Sequence, residues 1–121
     1  MLSISGQVKI FLSLAPTDMR KSIDGLCGLA ANVLAQDPSS GHLFAFVSKR
    51  RDRVKLLYFD VDGYALWYKR LEVGVFRMPR VEAGQVSLAL SAADLSLLLA
   101  GVDLQSVQRS RRYRRPAAAM A

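Results

Sequence analysis

Between Gly41 and Glu72 the chain reads GHLFAFVSKRRDRVKLLYFDVDGYALWYKRLE, a succession of short apolar runs separated by turn residues at the spacing of a β-hairpin. Leu43 to Val47 and Val54 to Phe59 are strand-length runs joined by a turn that carries Lys49, Arg50, Arg51, Arg53 and Lys55. Asp62-Gly63 is a type I′ turn signal, because both central positions of that turn need positive φ, and it leads into a third strand from Tyr64 to Leu71. The prediction is a three-stranded antiparallel meander. Along its last strand Tyr64, Leu66, Tyr68 and Arg70 share one face and Ala65, Trp67, Lys69 and Leu71 the other, so one face is expected to cover a helix and the other to meet a partner.

The flanking segments supply that helix and further strands. From Gln7 to Leu14 the residues Val8, Ile10, Leu12 and Leu14 recur with period two, predicting a first strand that Pro16 stops. Ile23, Leu26, Cys27, Ala30, Val33 and Leu34 then fall at helical spacing, with Thr17 or Ser22 as the N-cap and Asp37-Pro38 as the exit. A run around Val86 to Leu90 can add another strand. Ser91 caps a compact helix, SAADLSLLLAG, with Leu95, Leu98 and Leu99 as its apolar stripe and Gly101 as its end. The expected fold is α+β: a three- to five-stranded antiparallel meander against one main helix, with a short C-terminal helix. Residues 1–104 form a single domain in this reading, and 105–121 form a basic, disordered tail without amphipathic period.

With 121 residues the chain can bury one modest core. A single cysteine, Cys27, excludes an intramolecular disulfide, and with the one histidine, His42, it is too little for a structural zinc site. No cofactor or metal is expected. No apolar run approaches the roughly 20 residues of a membrane-spanning helix, so no membrane contact is expected and the chain reads as soluble and cytoplasmic. The net charge of +7 is unevenly placed. Five arginines of the tail, Arg109, Arg111, Arg112, Arg114 and Arg115, contribute +5 and the stretch from Lys49 to Lys55 contributes +4, leaving −2 for the rest. A turn so dense in cations repels itself unless an anion is near, which makes nucleic acid the first partner to consider.

Three segments, PTDMRKSIDGL (16–26), DPSSGHLFAF (37–46) and KLLYFDVDGYALWYKRLE (55–72), with a weaker echo in LLLAGVD, together resemble the TnpB accessory proteins of IS-sixty-six-type bacterial insertion sequences. The resemblance spans roughly residues 8 to 104 and leaves out the basic tail. It implies a mobile-element protein that works with a separate, larger transposase. Two departures stand out. That family usually carries glycine at the position of Arg51, and an arginine-rich RGRF where this chain has VGVF (73–76).

The basic turn reads as a phosphate-contacting hairpin tip, against the plainer reading of a solvated, solubilising loop. In the tail, arginines flanking Tyr113 can pair with phosphates while the ring stacks on a base, against the plainer reading of a solvated tail. Tyr58, Tyr64, Trp67 and Tyr68 suit sheet packing better than a stacking platform, since strands favour aromatic residues whatever their job. Asp60, Asp62 and Glu72 are the clustered carboxylates that metal-dependent strand transfer would require, but the turn, the strand end and pairing of Glu72 with Lys69 or Arg70 explain them more simply. Asp18 and Asp24 suit a helix N-terminus, whereas Arg20 and Lys21 do not and are candidates for partner contact. With Trp67, Tyr68 and Arg70 they form the alternative interface, a surface that docks on the transposase. The expectation is a non-enzymatic accessory factor in DNA transposition.

Overall fold

The computed structural model describes residues 7–101. The chain builds a five-stranded sheet with a helix packed on each face: β1 (Ile10–Ser13), α1 (Ile23–Asn32), β2 (Leu43–Val47), β3 (Arg53–Asp60), β4 (Gly63–Arg70), β5 (Ser87–Leu90) and α2 (Ala92–Leu99). Strand order is β4-β3-β2-β1-β5. β2, β3 and β4 form the expected antiparallel meander. The sheet as a whole is mixed, which corrects the antiparallel expectation: β1 lies parallel to β2, Ile10 opposite Leu43. The reason is the intervening helix. Consecutive strands joined by a tight turn run antiparallel, whereas α1 carries the chain back to the starting edge before β2 begins. β5 then closes the far side of β1 in antiparallel register, Ile10 opposite Leu90.

Two cores follow from strand alternation. On one face Phe44, Phe46 and Leu57 pack against Leu26, Ala30 and Leu34 of the α1 segment, with Tyr64 and Leu66 at the margin. On the other, Ile10, Leu12, Leu43, Ala45, Val47, Val54 and Leu56 pack against Leu95, Leu98 and Leu99 and against Phe76. Trp67 and Leu71 pack on this second core, while Tyr64 and Leu66 pack beside α1, so both faces of β4 are at least partly used by the protein itself. Phe76, fully buried from a loop, carried no periodic signal in the sequence.

Ser22 takes the N-cap position of α1 in extended backbone, without a side-chain capping bond. The helix ends earlier than Asp37-Pro38: Ala35 adopts φ +56° and the Gln36 N–H donates to the Ala30 carbonyl at 2.9 Å, which folds Leu34 under the helix. The second hairpin turn is also displaced by one residue. Asp60 pairs with Gly63, so the loop is Val61-Asp62, and Val61 at φ +55° centres a three-residue turn in which the Asp62 N–H donates to the Asp60 carbonyl. Register decides this. Leu57 faces Leu66 and Leu56 faces Trp67, and a one-residue slip would turn every β4 side chain to the wrong core.

Candidate functional site

The β2–β3 turn is a fixed structure. The Arg51 N–H donates to the Ser48 carbonyl (2.9 Å), the Ser48 N–H to the Arg53 carbonyl (3.0 Å), and the Ser48 hydroxyl to Asp52 Oδ1 (3.2 Å). Ser48 Oγ in turn accepts from the Arg53 N–H at 3.2 Å. From outside, the segment after β4 clamps the same turn: the Leu71 N–H donates to the Asp52 carbonyl at 2.7 Å and the Phe76 N–H to the Arg51 carbonyl at 2.6 Å. Burial of Phe76 thus holds the far side of the basic turn in place. Arg51 sits at φ +62°, in the left-handed region where a side chain is strained and glycine is not. That backbone requirement accounts for the glycine usual at this position in the family the sequence resembles.

Lys49, Arg50 and Arg51 point to solvent and Arg53 is half-buried. None of these four makes an ion pair among the described residues. Lys55, grouped with them in the sequence reading, is placed differently. It is buried, and its Nζ donates to the carbonyls of Met19 and Lys21, both at 2.8 Å, while lying 5.1 Å from the centre of the Tyr68 ring. The strand period explains the difference. Lys55 alternates with Val54 and Leu56 and so projects onto the α1 side of the sheet beside Leu57, where it straps down the segment entering the helix.

That strap brings Arg20 and Lys21 next to the hairpin. Thr17, Asp18, Met19 and Arg20 form one wall, and Ser48, Lys49, Arg50, Asp52 and Arg53 the other, of an open cleft of about 400 Å³. Thr17 is buried and its N–H donates to the Val47 carbonyl at 2.9 Å, joining the two walls at their base. Four cations and two carboxylates line the cleft, Arg20 with Asp18 on one wall and Lys49, Arg50 and Arg53 with Asp52 on the other. Asp18 is committed to Arg20, with Nε to Oδ1 at 3.1 Å and Nη2 to Oδ2 at 2.7 Å, and the Arg20 N–H also donates to Oδ1 at 2.9 Å. Those bonds hold the Asp18 carboxyl at about 2, below its ordinary 3.8, and raise the Arg20 guanidinium. The uncompensated charge of the cleft therefore comes from Lys49, Arg50 and Arg53.

The remaining predicted residues divide between surface and packing. Arg70 lies opposite Arg53 in the β3–β4 register and pairs through Nε with Glu72 at 2.8 Å, which raises its guanidinium. Tyr68 is exposed on the α1 side of the sheet and Trp67 half-buried on the other, so the two do not share a surface. Asp60 and Asp62 stand at one end of β4 and Glu72 beyond the other, with about 25 Å of extended strand between them. No group of three or more His, Cys, Asp or Glu among the described residues is placed to hold a metal ion. His42 accepts the Lys9 N–H at Nδ1 (3.0 Å), a structural bond beside β1. Cys27 is half-buried near Tyr64, and burial raises its thiol. The tail arginines Arg109, Arg111, Arg112, Arg114 and Arg115 lie outside the described residues.

Residues 8–109 match the family described as IS66 Orf2 like protein, a span that contains the whole sheet, both helices and every residue of the cleft. The chain belongs to the IS66 Orf2-like family. Membership carries a transposition-associated accessory role. Among curated relatives, the uncharacterized protein y4jC of Sinorhizobium fredii (strain NBRC 101917 / NGR234) is 38% identical over 109 residues, covering 90% of this chain and 92% of its own. The uncharacterized protein y4hO of the same strain is 36% identical over 107 residues, covering 88% and 91%. No solved structure matches the chain. Among the described residues of this IS66 Orf2-like protein, no helix is long and apolar enough to cross a membrane.

Proposed function

We propose that this IS66 Orf2-like protein is a non-enzymatic accessory factor that contacts DNA during transposition of its element. The basic turn and the cleft beside it neutralise backbone phosphates, and the tail arginines add to the same charge. One observation carries the reading: among the described residues Lys49, Arg50, Arg51 and Arg53 stand without acidic partners, on a turn that Ser48, Asp52 and two bonds from the segment after β4 hold in place. A solubilising loop has no need of such fixed geometry. Cations held in place give up little conformational entropy on meeting phosphate, and each phosphate contact releases condensed counterions.

The test is a salt titration of duplex affinity. Each cation that contacts phosphate contributes about 0.9 to the slope of log K against log salt, so the Lys49→Gln, Arg50→Gln double variant is expected to lower the slope by about 1.8 with unchanged fold. Removing residues 105–121, with their five arginines, is expected to lower it by up to about 4.5. A salt-independent affinity, or slopes unaltered by both changes, would remove the phosphate reading.

One observation favours a second reading, docking on the element's transposase. β4 is an edge strand whose outer backbone groups are open and whose Tyr68, Lys69 and Arg70 are exposed. Capture of purified transposase that survives high salt supports docking through this edge, and loss of capture as salt rises supports the electrostatic reading.

A further inference from the structure

Alone among the aromatic residues described, Tyr68 is exposed, at 49% of its surface. A solitary exposed tyrosine is ordinary; its surroundings here are not. The Lys55 ammonium lies 5.1 Å from the ring centre and is itself bonded to the Met19 and Lys21 carbonyls, so the ring is held against the strap that forms one wall of the basic cleft. Two positions along β4 on the same face stands Arg70, directly across from Arg53. Like charges opposite one another on neighbouring strands repel. Glu72 answers Arg70, but Arg53 has no acidic partner among the described residues, and an anion lying between the two guanidiniums would relieve the pair.

An aromatic face beside paired guanidiniums suits a polymer that offers bases and phosphates in alternation. In a duplex the base faces are covered by their neighbours, and such a ring has nothing to stack on. An unpaired strand exposes them, and base–aromatic stacking tolerates any sequence. We infer that the α1-side surface of β4 is a subsite for single-stranded DNA, in which Tyr68 stacks on an unpaired base while Arg53 and Arg70 hold the flanking phosphates. This rests on the proposed DNA contact of the basic turn and names its substrate: the cleft leads a displaced or unpaired strand onto the sheet. Lys55 takes no part as a phosphate ligand. It positions the ring.

The test is fluorescence anisotropy of the full-length protein with three probes of equal length: a mixed-sequence single strand, its duplex, and an abasic strand that keeps the phosphates and lacks the bases. Tyr68→Leu is expected to weaken binding of the base-bearing strand by roughly 5- to 150-fold while leaving the duplex and the abasic strand unchanged. Tyr68→Phe, which keeps the ring, is expected to bind as wild type. The salt slope of Tyr68→Leu stays at the wild-type value, because no charge is removed. Equal affinity of Tyr68→Leu and wild type for the single strand, or an equal loss on the abasic strand, overturns the stacking role while leaving the DNA contact of the basic turn standing. Failure of wild type to bind any of the three probes at low salt overturns both.

Discussion

Replacing Lys55 with methionine separates a structural cation from a ligand-binding one within the same basic stretch. Its ammonium is buried and makes two charge-assisted hydrogen bonds of 2.8 Å to the Met19 and Lys21 carbonyls. Bonds to a charged group contribute about 1.5–3 kcal/mol each, and the contact with the Tyr68 ring adds about 0.5–1 kcal/mol. Two effects offset that sum. Methionine fills similar volume without holding a charge away from water, and the carbonyl of the exposed Lys21 can turn to solvent. The net expected loss is about 1–3 kcal/mol, which in a folded unit of this size lowers Tm by about 4–8 °C for each kcal/mol. Thermal unfolding followed by circular dichroism reads the shift, and amide exchange at Lys21, whose N–H donates to the Asp18 carbonyl, reads the loosening of the strap. Lys49→Met should do the opposite, leaving Tm in place and lowering the salt slope of DNA binding by about 0.9. A Lys55→Met variant with wild-type Tm and a reduced slope would refute the argument, since it would make Lys55 a phosphate ligand and its two hydrogen bonds energetically empty.

Further outcomes follow from single residues. Arg51→Gly relieves left-handed strain of about 1–2 kcal/mol and costs about 0.5–1 kcal/mol in unfolded-state entropy, so a small rise in Tm is expected; a fall would show that Arg51 makes contacts worth more than its strain. Asp18, held at about 2 in the folded state by Arg20, contributes stability that is fully present above its ordinary value of 3.8 and is lost progressively as pH falls from there through about 2. A carboxyl NMR titration should place its midpoint near 2 and return it to the ordinary carboxylate range in Arg20→Gln; an ordinary midpoint in wild type would mean that the pair does not form in solution. Ser91→Ala removes the hydroxyl that accepts the Asp94 N–H at 3.0 Å and should cost about 1 kcal/mol by chemical denaturation. No loss would mean that water caps α2 equally well.

Much of the fold was legible because strand alternation and capping are local. Ile10 and Leu12 face one core as their period-two spacing implies, Ser91 caps α2, and Gly101 ends it at φ +80°. A pairing of Glu72 with a neighbouring cation was equally visible, though Lys69 and Arg70 were both open and the structure gives Arg70. What could not be read locally was where strands meet. The parallel pairing of β1 and β2 depends on α1 crossing back over the sheet, and the one-residue shift of the second turn depends on which core each β4 side chain must enter. In the candidate site, Lys49, Arg50 and Arg51 stand exposed in the β2–β3 turn and Arg53 opens β3, half-buried. Lys55 is buried instead, because strand geometry past Arg53 turns it toward α1.

The sequence alone determined an α+β chain with one densely basic turn and a basic tail, because composition, periodicity and turn chemistry are written residue by residue, while its likeness to the IS66 accessory proteins rested on three segments taken together. Tertiary structure decided which of those cations stay free to meet an anion. It packed Trp67 and Leu71 of the aromatic strand segment onto the second core, brought Arg20 across from Arg53, and spent Lys55 on two backbone carbonyls. Charge belongs to the residue, but the partner it meets depends on what lies opposite once the chain has folded.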